Sequence, residues 1–138
     1  MRIALGQFNQ PTDEMLKFAR QLGVDGVLLN TPILPGKKRW EFIDLVQLRA
    51  KIEEAGLVLE ALENVPLGFY DKAMLGLPET DEQIENYQET IRNVGRAGIP
   101  ILGYHWMPNS VWRTSNTTPG FSTFRSPGII PTCLRSAY

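Results

Sequence analysis

Five side chains, four of them at the ends of predicted strands, have the types needed to bind a small polar substrate. They are Glu63, Asn64, Tyr104, His105 and Arg113. The Glu63 carboxylate could act as a base, bind a divalent cation or accept a sugar hydroxyl, and the His105 imidazole could donate a proton or bind a metal. Arg113 could hold a carboxylate with two parallel hydrogen bonds. Together these groups predict part of a substrate pocket.

Three of these side chains also have a purely structural interpretation. Glu63 could be a solvated loop carboxylate, His105 a hydrogen-bonded core residue and Arg113 a surface charge. His105 is the only histidine and Cys133 the only cysteine, and no acid–base partner lies near Cys133 in the sequence. The sequence therefore contains no complete set of metal ligands and no nucleophile triad, so we assign no catalytic residue and no metal ligand.

The elements that must position these side chains alternate between strand and helix. Apolar runs predict strands over about residues 3–8, 25–30, 57–62 and 99–104, with boundaries good to roughly two to four residues. Three helices separate them, and each ends in a glycine followed by an aliphatic residue, at Gly23, Gly56 and Gly98. The predicted fold class is α/β with four parallel strands and three helices, as in half of a (β/α)8 barrel or in a doubly wound sheet.

Two further patterns concern the ends and faces of the helices. Thr12 is the predicted N-cap of the first helix. A capping box at Thr80 and Gln83 predicts the start of the last helix, after a long loop over residues 67–79. Helical spacing predicts one apolar face on each of these two helices; the faces comprise Met15, Phe18, Ala19 and Leu22, and Ile84, Tyr87, Ile91 and Val94. If the chain forms a parallel barrel, the polar and aromatic end of the strand after the last helix carries chemistry. The alternative is a buried strand whose aromatic residues only pack.

Composition and charge narrow the class of protein. The chain has 138 residues, 43% of them hydrophobic, which suits one globular domain. The sequence has no run of 18 apolar residues, so we predict no membrane span, and its single cysteine fits a reducing compartment. All 15 acidic residues lie at or before Glu89, leaving the last 49 residues with five arginines. These arginines are not clustered, which favours solvated surface or a small anionic substrate over nucleic acid.

Residues 116–138 differ in character from the rest of the chain. They are rich in Ser, Thr, Pro and Gly and contain no acidic residue and no helical periodicity. We predict a partial barrel domain over residues 1–115 and a poorly ordered or foreign tail over residues 116–138.

Several motifs resemble those of the mannonate dehydratase family over residues 1 to about 115. They are Glu63-Asn64-Val65-Pro66, Ile84-Glu85-Asn86-Tyr87-Gln88, Thr90-Ile91-Arg92-Asn93, Ala97-Gly98-Ile99, Tyr104-His105-Trp106-Met107-Pro108 and Trp112-Arg113-Thr114. The resemblance is strongest over residues 56–114, where the motifs keep the order and spacing of the family. Many members have Asn-Phe where this chain has His105-Trp106.

The resemblance implies a TIM-barrel hydro-lyase that converts D-mannonate to 2-keto-3-deoxy-D-gluconate and water in glucuronate catabolism. It also implies a cytoplasmic, metal-dependent enzyme that uses Mn2+ or Fe2+, whose Cys, His and Asp ligands lie in a part of the family that this chain lacks. The five side chains named first would then contact the sugar acid. The open sheet edges predict poor solubility or self-association, for which a homo-oligomer is one possible form. Two alternatives remain: a non-catalytic half-barrel fragment, and a sugar isomerase or epimerase of similar fold.

Overall fold

A parallel three-stranded sheet forms the centre of the protein. The computed structural model describes residues 2–106. Its strands are β1 (Ala4–Phe8), β2 (Gly26–Leu29) and β3 (Val58–Leu62), in the order β1-β2-β3. Both pairings are parallel, with Leu5 opposite Val27 and Val27 opposite Leu59. The predicted α/β class and the parallel arrangement of these three strands are confirmed.

Four α-helices connect and follow the strands. They are α1 (Asp13–Gln21), α2 (Phe42–Glu54), α3 (Asp71–Leu75) and α4 (Thr80–Arg96), and a short 3-10 turn, Leu67–Phe69, precedes α3. Helix α1 connects β1 to β2 and α2 connects β2 to β3. Helices alternate with strands because two parallel strands need a crossover that brings the chain back to the end of the sheet where the first strand began.

The predicted fourth strand, at residues 99–104, is reduced to a single bridge. Leu102 pairs with Leu62 in the parallel sense, and two hydrogen bonds flank the bridge, from Leu62 N to Ile101 O at 2.9 Å and from Gly103 N to Leu62 O at 2.8 Å. Pro100 has no N–H to donate, which shortens the pairing on its amino-terminal side. The prediction of four strands is therefore wrong for the described residues, although the segment 101–103 lies beside β3 as predicted.

The prediction of three helices and that of a capping box at Thr80 are also wrong. Thr80 lies inside the first turn of α4, where its hydroxyl donates to Leu77 O at 2.6 Å. The Gln83 side chain is used elsewhere: its Oε1 accepts from the backbone N–H groups of Lys72 and Ala73, both at 2.9 Å. Gln83 thereby supplies acceptors for the first turn of α3, a helix too short for periodicity to reveal.

The predicted helix boundaries at Thr12 and at the three glycines are confirmed. Thr12 Oγ1 accepts a 3.2 Å hydrogen bond from Met15 N at the start of α1. Gly23, Gly56 and Gly98 have φ of 72°, 73° and 73°. Because L side chains disfavour this left-handed conformation, glycine allows each helix to end and the chain to turn directly into the next segment.

The hydrophobic core lies between the sheet and the helices. Val27, Leu29, Leu45, Ile52 and Leu62 have no exposed surface. The predicted helix faces are buried only in part, because Phe18, Leu22, Ile84 and Ile91 are 44–54% exposed. Strand β1 is one edge strand of the sheet, and beyond β3 the described residues add only the short bridge at Leu102.

Candidate functional site

Three asparagines join the carboxyl ends of the three strands. The backbone oxygen of Asn30, after β2, accepts a 2.7 Å hydrogen bond from Asn9 Nδ2, after β1. The side-chain oxygen of Asn30 accepts from Asn64 Nδ2, after β3, at 3.2 Å and from Thr31 Oγ1 at 2.9 Å. This asparagine network places polar groups from three strands at one edge of the sheet, where parallel α/β folds bind their ligands.

Two residues of this network have unusual backbone conformations. Thr31 has φ of 45° and Asn64 has φ of 143°, although neither is glycine. Such conformations cost of the order of 1–3 kcal/mol each and persist only where the surroundings hold them. Here the backbone around them is held by hydrogen bonds from Asn30 N to Phe8 O and from Glu63 N to Leu29 O, each 2.8 Å long. The strain is therefore located at the polar edge of the sheet.

Glu63 lies half-buried between the asparagine network and the bridged segment. A Cβ atom added to Gly103 would lie 3.5 Å from Glu63 Cα, so the two chain segments are in close contact. Within residues 2–106 the Glu63 carboxylate has neither a hydrogen-bond donor nor a cationic partner. Its oxygens can therefore accept hydrogen bonds from a ligand.

His105 contacts Tyr70, which lies between the 3-10 turn and α3. The Tyr70 hydroxyl lies 3.2 Å from His105 Nδ1, and the two rings meet edge to face with centroids 6.1 Å apart. Trp106 also stacks on Tyr70, with ring centroids 5.3 Å apart, and the Tyr87 ring meets Tyr70 edge-on at 6.3 Å. Burial raises the pKa of the Tyr70 phenol above its ordinary value, so Tyr70 is a neutral hydroxyl at physiological pH.

Tyr104 faces a different part of the surface. The residue is 74% exposed, and it lines an apolar groove of about 310 Å³ with Tyr87, Ile91, Leu102 and Trp106. Partial burial, followed by the neighbouring phenols, raises the pKa of Tyr87. The structure places Tyr104 next to α4 and not in the asparagine network, and its role in substrate binding stays a prediction.

A second cleft, of about 440 Å³, lies between the loop before α2 and the helices α3 and α4. Two of its three lysines are paired: Lys38 binds Glu82, and Lys72 Nζ lies 2.8 Å from Glu79 Oε1. The hydrogen bond from Lys72 lowers the pKa of Glu79 and raises that of Lys72. Since two of these lysines already have carboxylate partners, the cleft offers little positive charge to an anion.

The predicted site residues are thus found in three places. Glu63 and Asn64 adjoin the asparagine network, His105 packs on Tyr70, and Tyr104 lines the apolar groove, while Arg113 and the predicted tail lie outside the described residues. Over residues 2–106 no three His, Cys, Asp or Glu side chains converge. These residues therefore do not fit a Mn2+ or Fe2+ site by themselves.

Sequence reasoning missed Tyr70 and Thr31. Tyr70 lies in a segment without periodicity, and only the adjacent pair Phe69-Tyr70 after a strand end hinted at packing there. Thr31 follows Asn30 before a proline, a common turn pattern that does not indicate a positive φ. Among residues 2–106 the structure contains no helix with the length and apolar character needed to cross a bilayer.

Comparison with known proteins agrees on one family. The family model of D-mannonate dehydratase (UxuA) matches residues 1–122. A mannonate dehydratase of Streptococcus pneumoniae is 36% identical over 94 residues, covering 68% of this chain and 25% of that protein. One of Thermotoga neapolitana is 36% identical over 114 residues, covering 81% of this chain and 31% of that protein.

A solved structure shows the same similarity. The crystal structure of mannonate dehydratase from Streptococcus suis serotype 2 superposes with a TM-score of 0.69 and 29% identity, covering 86% of this chain and 34% of that one. The chain spans about a quarter to a third of the length of these relatives. The family match over most of the chain confirms the resemblance carried by the sequence motifs, and the protein belongs to the mannonate dehydratase family.

Proposed function

We propose that this chain builds the amino-terminal half of a TIM-barrel mannonate dehydratase and supplies part of its substrate pocket. The observation that carries the proposal is the asparagine network, which collects polar groups from three parallel strand ends in a chain of this family. The substrate would be D-mannonate, and the products 2-keto-3-deoxy-D-gluconate and water, in glucuronate catabolism. The protein would act in the cytoplasm.

The proposed reaction needs a base, an acid and groups that orient the sugar acid. A base removes the C2 proton, the C3 hydroxyl leaves as water after protonation, and the resulting enol tautomerises to the 2-keto product. Glu63 and Asn64 would bind sugar hydroxyls, His105 would donate a hydrogen bond, and Tyr104 would flank the sugar. Arg113, outside the described residues, would bind the substrate carboxylate with paired hydrogen bonds.

The metal of the family, Mn2+ or Fe2+, would polarise the substrate when bound. A catalytic cation needs several ligands in fixed geometry. The whole sequence has one histidine and one cysteine, and residues 2–106 do not gather a three-ligand cluster. We therefore propose that the 138-residue chain alone does not dehydrate D-mannonate and that the ligands come from sequence beyond it.

A chimera tests this function directly. Residues 1–115 would replace the corresponding part of the Streptococcus suis enzyme, and formation of 2-keto-3-deoxy-D-gluconate from D-mannonate would be measured with Mn2+. We expect the chimera to be active and the 138-residue chain to be inactive. In the chimera, Glu63→Gln or His105→Ala should lower kcat/KM by about tenfold or more. His105→Asn, which restores the residue common in the family, is the matched control and should retain activity.

Other results would favour the alternatives. A correctly folded chimera without dehydratase activity would support a non-catalytic half-barrel. Interconversion of sugars without loss of water would support an isomerase or epimerase. Turnover by the 138-residue chain above a metal-only blank, abolished by His105→Ala, would contradict the proposed need for further ligands.

A further inference from the structure

Within residues 2–106, the ring of Tyr70 contacts both members of the His105-Trp106 pair. It is buried, with 4% of its surface exposed. It stacks on Trp106 with an interplanar angle of 24° and stands at 87° to the His105 ring. With the 3.2 Å separation of Tyr70 Oη from His105 Nδ1, these contacts fix both the position and the rotation of the imidazole.

The chemistry of the two groups sets the direction of this hydrogen bond. A phenol hydroxyl is a stronger acid than the N–H of a neutral imidazole, and the lone pair of an imidazole nitrogen is the better acceptor. Tyr70 Oη has no other hydrogen-bond partner within residues 2–106, so donation to Nδ1 is also the arrangement that satisfies its proton. A neutral His105 that accepts at Nδ1 must carry its own proton on Nε2.

We propose that Tyr70 is a positioning residue that holds His105 as the Nε2–H tautomer and presents that N–H as a hydrogen-bond donor. The inference rests on the proposed function only for the identity of the acceptor, a hydroxyl or carboxylate oxygen of the sugar acid. Within the described part of the chain, Nε2 has no hydrogen-bond partner, and His105 is half-buried, so Nε2 can reach a ligand.

Gln83 holds the segment that carries Tyr70. Its Nε2 donates to Gly68 O at 2.9 Å and to Asp71 Oδ1 at 2.6 Å, and its Oε1 accepts from the first two N–H groups after Asp71. All the hydrogen-bonding capacity of this amide is therefore directed to residues that flank Tyr70. A rigid support of this kind is required if a buried ring is to fix the tautomer of its neighbour.

The single histidine makes the test unambiguous, because every histidine ring signal comes from His105. Nitrogen-15 NMR of the 138-residue chain at about pH 8.5, where imidazole is neutral, reports which ring nitrogen carries the proton. We expect one Nε2–H tautomer in the wild type, with the Nδ1 resonance displaced by the accepted hydrogen bond. In Tyr70→Phe, which keeps the ring, that resonance should shift to the position of an unbonded nitrogen. Tyr87→Phe removes a hydroxyl from the same aromatic cluster and should change nothing.

A wild-type spectrum with the proton on Nδ1, or no shift of Nδ1 in Tyr70→Phe, would overturn the inference. Far-UV circular dichroism checks that both variants keep the fold, and Gln83→Ala, which loosens the support without touching either ring, is expected to broaden the same resonance. The chimera separates the two proposals. If Tyr70→Phe moves Nδ1 in the 138-residue chain but His105→Ala leaves kcat/KM of the chimera unchanged, Tyr70 positions His105 and the proposed substrate contact is wrong.

Discussion

The Asn93 side chain on α4 donates a 3.0 Å hydrogen bond from Nδ2 to the carbonyl oxygen of Trp40, which lies just before α2. Thr90, one turn earlier, accepts from the Trp40 backbone N–H at 3.4 Å and donates to Asn86 O at 3.0 Å. Thr90, Asn93 and Trp40 are all buried. Helix α4 therefore satisfies both backbone groups of Trp40 and fixes the loop that enters α2.

The first prediction follows from this contact. Asn93→Ala should lower the free energy of unfolding by about 1–3 kcal/mol, because a buried carbonyl group loses its donor. Urea unfolding measures the change. Asn86→Ala is the matched control: its Nδ2 donates to Glu82 O on the same helix, so a change within about 0.5 kcal/mol is expected. Equal losses in both variants would mean that the Trp40 contact contributes nothing special.

The second prediction concerns Gln83. Gln83→Ala should increase hydrogen exchange of the backbone amides of Lys72 and Ala73, because both lose their acceptor. Exchange of α2 amides should not change. Gln88→Ala, at an exposed position of α4, serves as the control. Unchanged protection of α3 in Gln83→Ala would show that the helix is held by packing alone.

Local signals explain why much of the fold was predictable. A helix end at a glycine depends on the backbone conformation of that one residue, so Gly23, Gly56 and Gly98 each marked the end of a helix correctly. The Thr12 cap is equally local. Thr80 and Gln83 also matched a local capping pattern, but in the structure the Gln83 amide bonds to a segment ten or more residues away. Sequence spacing cannot show which of two competing partners a side chain will bind.

The polar residues at the strand ends of the candidate site were predictable from the sequence, whereas the residues that pack against them were not. Asn64 and His105 follow apolar runs, and that position alone indicates the polar edge of a parallel sheet. Tyr70 reaches His105 across 35 residues of sequence, and Tyr104 faces α4 because of the path of the chain beyond the bridge. Such contacts depend on tertiary packing, which periodicity does not encode.

The third prediction compares two glycines with the same backbone conformation. Gly23→Ala and Gly98→Ala both place a side chain at φ near 72°, which costs about 1–2 kcal/mol. A Cβ at Gly23 meets no atom within 4 Å, whereas one at Gly98 would lie 2.2 Å from Arg49 Nη1, which donates to Ala97 O. Gly98→Ala should therefore be more destabilising by about 1 kcal/mol, the value of the displaced hydrogen bond.

A double-mutant cycle isolates that difference. In an Arg49→Met background the extra loss should disappear, and Gly98→Ala should then match Gly23→Ala. If Gly98→Ala remains the more destabilising substitution without Arg49, the cause lies in the backbone and not in the displaced guanidinium.

The last prediction concerns stability at alkaline pH. Burial raises the pKa of Tyr70 and of Tyr87 in the folded protein, whereas a tyrosine in the unfolded chain ionises near pH 10. The unfolded state therefore releases these protons first, so the stability contributed by the neutral phenols is fully present below about pH 10 and is lost as pH rises towards the folded-state pKa.

We expect the urea midpoint of the wild type to fall between about pH 9 and pH 11, and to fall less in Tyr70→Phe because phenylalanine does not ionise. Comparing each variant with its own midpoint at neutral pH removes the separate effect of the lost hydrogen bond to His105. A midpoint that falls as steeply in Tyr70→Phe and Tyr87→Phe as in the wild type would show that neither phenol resists ionisation in the folded state.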